Sequence, residues 1–217
     1  MIRLKMPLWA SSLRQRIKIL WLIVVTHRLG INSAAIKYPS VYASIGRLSR
    51  MTTLKYLAGY SAILKNQVQN LIDNNKLTEV LLKTYPVPHD IRTDKALYAY
   101  TVNMKNQFLK QSSPLSKVVY DDKIDVLHQA LGLHTFVSRA QGNNLKSKNE
   151  IRIGSIFKTA SPGFLKMIVV HELAHLREKQ HNKAFYKLCQ HMEPEYHRLE
   201  FDVRLYLTHM DLVGKLY

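Results

Sequence analysis

The sequence predicts an α+β fold: a helical N-terminal part, a small β-sheet packed on a helix that carries HELAH, and helices at the C-terminal end. Three observations carry that expectation. Apolar residues recur at helical spacing between Leu64 and Phe108, apolar and polar residues alternate at Ile151, Arg152 and Ile153, and an unbroken apolar helical pattern begins at Phe164.

Leu64, Val68, Leu71 and Ile72 form the first helical stripe, and residues 77–85 read as a second, short helix ended by Pro86-Val87-Pro88. Thr93 is placed to cap a third helix carrying Leu97, Tyr100, Met104 and Phe108, and Ser113-Pro114 breaks the pattern after it. Residues 118–120, 134–139 and 150–156 are the strand candidates, with Gln141-Gly142-Asn143-Asn144 turning the second into the third. Ser161 then supplies an N-cap with Pro162 at the first helical position, and residues 164–179 contain no Gly or Pro. Within that helix Leu165, Val169, Leu173 and Leu176 make a core stripe separate from the face of His171 and His175.

Residues four apart on a helix lie about 40° apart around the axis and one turn along it, so His171 and His175 can address one ion. Glu172 lies beside them, where a carboxylate can take a proton from water. A third imidazole, His181, follows six residues later. In a continuous helix it would face away, about 240° round from His175, so the chain must turn between Arg177 and Asn182. Asn182 suits that turn and can cap a helix over residues 183–192. Three imidazoles with an open fourth position suit a catalytic Zn2+ better than magnesium or calcium, which prefer oxygen ligands.

The run VVHELAHLREKQHNKAFYKLCQHMEPEYHRLEFDVRLYL, beginning at Val169, resembles the YgjP-like metallopeptidase family, a relative of the SprT and WLM domains. The resemblance covers residues 51–217. It implies zinc ligands at His171, His175 and His181, and Glu172 as general base. The chain departs from metzincins, which place Gly three residues after the second His where this sequence has Glu178. Relatives also carry an R-W-G-S segment before the helix, to which Arg139 in Ser138-Arg139-Ala140-Gln141-Gly142 is the nearest counterpart.

Other polar residues near the motif have alternative readings. His191 and His197 reach the metal only if different helices turn the right side toward it. Tyr186 and Tyr196 either steady a tetrahedral oxyanion or pack with their hydroxyls satisfied. Glu178 shares the histidine face and is placed to hydrogen-bond an imidazole. Cys189, the single cysteine, excludes an intramolecular disulfide and reads as a buried small residue rather than a nucleophile.

Charge separates the chain into two parts. Residues 1–50 hold nine Lys or Arg and no Asp or Glu, whereas residues 51–217 hold 23 basic and 15 acidic side chains. The basic leader contains the apolar run ILWLIVV at residues 19–25, far short of the roughly 20 residues that span a bilayer. A mis-assigned start codon, a secretory signal ending near Ser33-Ala34-Ala35 and a membrane-surface helix all fit it; the first is favoured, leaving residues 51–217 as the domain.

The expectation is a cytoplasmic zinc-dependent hydrolase, a metallopeptidase acting on a peptide or protein, or an exported one if the leader is a signal. The alternative is a nucleotide pyrophosphohydrolase using the same site, an activity also associated with the resembled family. A third reading is a DNA-associated protein-processing module like the SprT and WLM relatives, with weak non-specific nucleic-acid binding through its basic charge.

Overall fold

The computed structural model describes residues 54–124 and 149–217. They form six α-helices and two strands: α1 (Ala62–Asp73), α2 (Leu77–Thr84), α3 (Asp94–Phe108), β1 (Lys117–Asp121), β2 (Glu150–Gly154), α4 (Pro162–Ala174), α5 (Lys183–Met192) and α6 (Tyr196–Leu212). The mixed α+β class is as the sequence predicts. The described residues fall into two units, residues 60–70, which include most of α1, and residues 54–59, 71–124 and 149–217. Both strands and α2 to α6 belong to the second. The basic leader, the strand expected at 134–139, its turn and Arg139 lie outside the described residues.

Capping side chains set the helix starts. Thr93 accepts from the Ala96 amide (3.2 Å), Ser161 from Phe164 (3.3 Å) and Asn182 from Phe185 (2.9 Å), each satisfying a backbone donor that the first helical turn leaves unpaired. All three helices begin where these residues predict.

β1 and β2 pair in parallel, with Val118 opposite Ile151 and Tyr120 opposite Ile153, so the four buried side chains share one face. On the other face Arg152 pairs with Asp121 and Glu150, each at 2.6 Å. Parallel neighbours need a crossover rather than a hairpin, and the residues between them are largely outside the described chain. β2 stops at Gly154, two residues before the expected end, because the chain tightens into a 3-10 turn, Ser155–Thr159. β1 is tied to α3 by the Tyr120 amide, which donates to Asp94 Oδ1 (3.0 Å), while β2 and the 3-10 turn also touch α4.

The expected separation of a core stripe from a histidine face on α4 is corrected by the structure. Nine of its 13 residues are buried, because α5, α6 and the sheet side surround it. α6 packs tightly at Gly163, where an added Cβ would stand 3.1 Å from Leu199 Cδ2. Phe164 packs its ring against Tyr85 and Tyr206, with centroids 4.3 and 5.1 Å away. Among the described residues no helix is long and apolar enough to cross a membrane.

Candidate active site

The helix carrying HELAH ends at Ala174, five residues sooner than the breaker-free run suggests, and His175 is its C-terminal cap. The Leu176 amide reaches back to Leu173 O and that of Arg177 to Ala174 O, both at 3.1 Å, so the last turn tightens to three-residue spacing. The turn expected after Arg177 therefore starts at the second histidine. It needs no glycine, since His175 itself keeps a right-handed backbone at φ −68°. The return carries His181 back over the end of α4.

Three imidazoles meet there. His171 Nε2 and His175 Nε2 are 3.3 Å apart, and His181 Nε2 is 3.1 Å from each. A tetrahedral ion bound at about 2.0–2.1 Å holds neighbouring nitrogens roughly 3.3 Å apart, so the triad has the dimensions to hold a metal ion. His171 and His175 are each only 6% exposed, so they do not form a solvated surface pair.

The far sides of two rings are also engaged. His175 Nδ1 lies 2.9 Å from the Glu178 carbonyl, an acceptor only, so Nδ1 carries the proton and Nε2 the lone pair. His171 Nδ1 lies 2.7 Å from Tyr196 Oη in a buried contact. Glu178 thus acts through its backbone, not through the side chain considered from sequence; its carboxylate instead accepts from Asn182 Nδ2 (3.3 Å).

Glu172 follows His171 on α4 and does not join the donor cluster. Burial alone pushes its carboxyl up to about 8, since removal from water disfavours the charged form. A cation at the triad would favour the ionised form and draw that value down.

His191 and His197 do not belong to the cluster. The His191 ring stands edge-on to Phe108, 5.6 Å away, and the His197 ring lies 5.4 Å from Tyr186 with Nδ1 3.8 Å from Glu200. Tyr196 is not free to meet an oxyanion, because its hydroxyl serves the Nδ1 side of His171, opposite the converging nitrogens. The Tyr186 ring stays 6.4 Å from His181. Cys189 is buried, as the sequence reading expects, and burial pushes its thiol well above the ordinary range.

Phe185 had no assigned role from sequence. Its ring lies 5.0, 4.4 and 4.6 Å from those of His171, His175 and His181, forming one apolar wall for all three. Its signal is positional: it is the third residue of the helix capped by Asn182, four residues after the third histidine.

The family described as YgjP-like, metallopeptidase domain, matches residues 122–203. A UTP pyrophosphatase from Escherichia coli (strain K12) is 59% identical over 162 residues, covering 75% of this chain and 97% of that protein. No solved structure matches the chain.

Proposed function

Because this chain belongs to the YgjP-like family and is a metal-dependent hydrolase, we propose that it is a zinc enzyme that splits the pyrophosphate linkage of a nucleoside triphosphate. The observation that carries the metal chemistry is the convergence of three Nε2 atoms at 3.1 to 3.3 Å. His171, His175 and His181 are the ligands in this reading. All-nitrogen donors of this softness favour zinc over magnesium or calcium. The substrate class follows from the relative named for UTP, which is similar along nearly its whole length. An excess of 23 basic over 15 acidic side chains in residues 51–217 suits a polyanionic substrate.

Held by His171, His175 and His181, a divalent ion would supply Lewis acidity that eases deprotonation of water and offsets negative charge developing on the substrate. Glu172 is the general base. Its carboxylate takes a proton from the attacking water, whose oxygen bonds to the α-phosphorus. The bond from that phosphorus to the bridging oxygen breaks, and pyrophosphate leaves with the electron pair beside a nucleoside monophosphate. Phe185 and the Glu178 carbonyl hold the imidazoles in place.

A second reading, peptide-bond hydrolysis, is favoured by the metallopeptidase description of the matched domain. There Glu172 would take the proton from water and hand it to the leaving amine. The test is to strip the protein of metal, restore Zn2+ or Mg2+ separately, and offer UTP, other nucleoside triphosphates and casein to the same sample. UMP and pyrophosphate in equal amounts are the expected products. Casein cleavage without nucleotide turnover would establish the second reading, and release of inorganic phosphate with UDP would move the cleaved bond.

A further inference from the structure

His171 lies on α4 and His175 caps its end, but His181 has no helix of its own. The Asn182 amide donates to the Gln180 carbonyl at 2.7 Å, a reach of two residues that puts His181 at the centre of a γ-turn. Among the described residues Asn75 is the non-glycine residue with positive φ, so the turn at His181 is of the inverse, unstrained kind. So short a turn fixes the direction of its central side chain only where the residues beside it are themselves held.

Asn182 holds one side of it with two contacts. Its Oδ1 accepts from the Phe185 amide at 2.9 Å, and because a backbone N–H can only donate, Nδ2 is the atom turned to the Glu178 carboxylate, 3.3 Å away. The first contact starts α5 and so sets Phe185, whose ring lies 4.6 Å from that of His181. The second reaches back across the return to the residue whose carbonyl stands 2.9 Å from His175 Nδ1. A helix cap needs only the first. Ser, Asp and Asn cap about equally well, yet Ser is too short to reach Glu178 and an ionised Asp cannot donate to it.

We infer that Asn182 is a positioning residue for the metal centre: by tying the start of α5 to Glu178 it holds the turn that carries His181 against the two imidazoles of the HELAH motif. This rests on the reading of His181 as a metal ligand. A return held before the ion arrives takes part of the ordering cost out of metal binding.

The experiment is an equilibrium competition for Zn2+ against a chromophoric chelator, with thermal unfolding of each metal-free protein recorded alongside. Asn182→Ser keeps the cap and the net charge but removes the tie. It should match wild type in metal-free Tm and bind zinc about two- to tenfold more weakly, the worth of one hydrogen bond. Asn182→Ala also removes the cap, so it should bind more weakly still and lower the Tm. Asn182→Asp combined with Glu178→Gln keeps the cap and the net charge and reverses donor and acceptor across the contact. That pair should return to wild-type affinity, a rescue that a capping role alone does not explain.

Wild-type affinity in Asn182→Ser would leave Asn182 as a helix cap, and an exchanged pair binding no better than Asn182→Ala would take Glu178 out of the arrangement; either overturns the inference. Should Asn182→Ser lose stability, Glu178→Ala breaks the same contact and leaves the cap intact, with Glu178→Gln, which still offers an acceptor, as its reference. Equal zinc affinities in those two proteins would refute the tie. His181→Ala separates this from the metal reading: if it binds zinc like wild type, the ligand assignment itself has failed, and if it loses zinc while Asn182→Ser does not, only the positioning role has.

Discussion

Tyr196 Oη stands 2.7 Å from His171 Nδ1, joining the start of α6 to the middle of α4 across 25 residues of sequence. With the contact from His175 to the Glu178 carbonyl, it settles which edges of two imidazoles face the centre. The site is therefore held from behind by hydrogen bonds and from the side by Phe185. Its three nitrogens need no rearrangement to receive an ion.

His171→Ala, His175→Ala and His181→Ala should each reduce bound zinc well below one equivalent after dialysis against a weak chelator, as measured by metal analysis. Removing one of three protein ligands takes away a large share of the site's affinity. A stoichiometric ion in His181→Ala would shift the third ligand elsewhere.

Glu172→Gln should keep its zinc and its fold while turnover falls by about two to four powers of ten, the usual contribution of a positioned general base. Steady-state rates at matched zinc occupancy test this. Unchanged turnover would remove Glu172 from the chemistry for either substrate class.

The same carboxyl makes the metal-free protein sensitive to alkali. Its folded value, about 8, lies above the ordinary 4.5, so the folded state binds the proton more tightly than the unfolded chain. The stability this contributes is complete below pH 4.5 and is lost as pH rises through 8. Metal-free wild type should therefore lose Tm across that window relative to metal-free Glu172→Gln, and added zinc should narrow the difference. Parallel Tm profiles for the two metal-free proteins would contradict the buried-acid picture.

His89 should act in the opposite pH range. Nε2–H donates to the Phe157 carbonyl (2.7 Å) and Nδ1 accepts from the Ile91 amide (3.0 Å), an arrangement only the neutral ring can make. Burial lowers its pKa below the ordinary 6.5, with the Arg92 charge adding to the effect and the Phe157 hydrogen bond opposing it. Its contribution is present above 6.5 and lost as pH falls through the lowered folded value. His89→Gln should unfold at a lower temperature than wild type at pH 7, and the gap should shrink toward pH 5; a constant gap would count against this role.

For the leader, a protein beginning at Met51 should be soluble and zinc-binding, with a Tm close to that of the full chain. The reason is compositional: residues 1–50 carry nine basic and no acidic side chains and little helical periodicity. Aggregation or loss of zinc in the shorter protein would show that the leader packs against the domain.

Local chemistry was legible in the sequence wherever one short stretch decides the outcome. Thr93, Ser161 and Asn182 announce helix starts because an N-cap satisfies amides two or three residues away, and His171 and His175 share a direction because a single helical turn separates them. The need for a turn before His181 followed from the same geometry. The early stop of α4 at Ala174 did not, since no glycine or proline marks it and the tightening is favoured only where the returning chain finds a place to pack.

Tertiary structure decided what depends on distant surfaces meeting. The parallel pairing of Val118 with Ile151, burial around all of α4, the exclusion of His191 and His197 from the triad, and the wall formed by Phe185 are such cases. So is the contact of Tyr196 with His171. A hydrogen bond between elements acts over about 3 Å in space and has no fixed spacing along the chain, so periodicity cannot reveal it. The sequence by itself thus determined which residues can form a metal centre. Packing of α5 and α6 onto α4 determined which edges of those residues face inward and which neighbours hold them there.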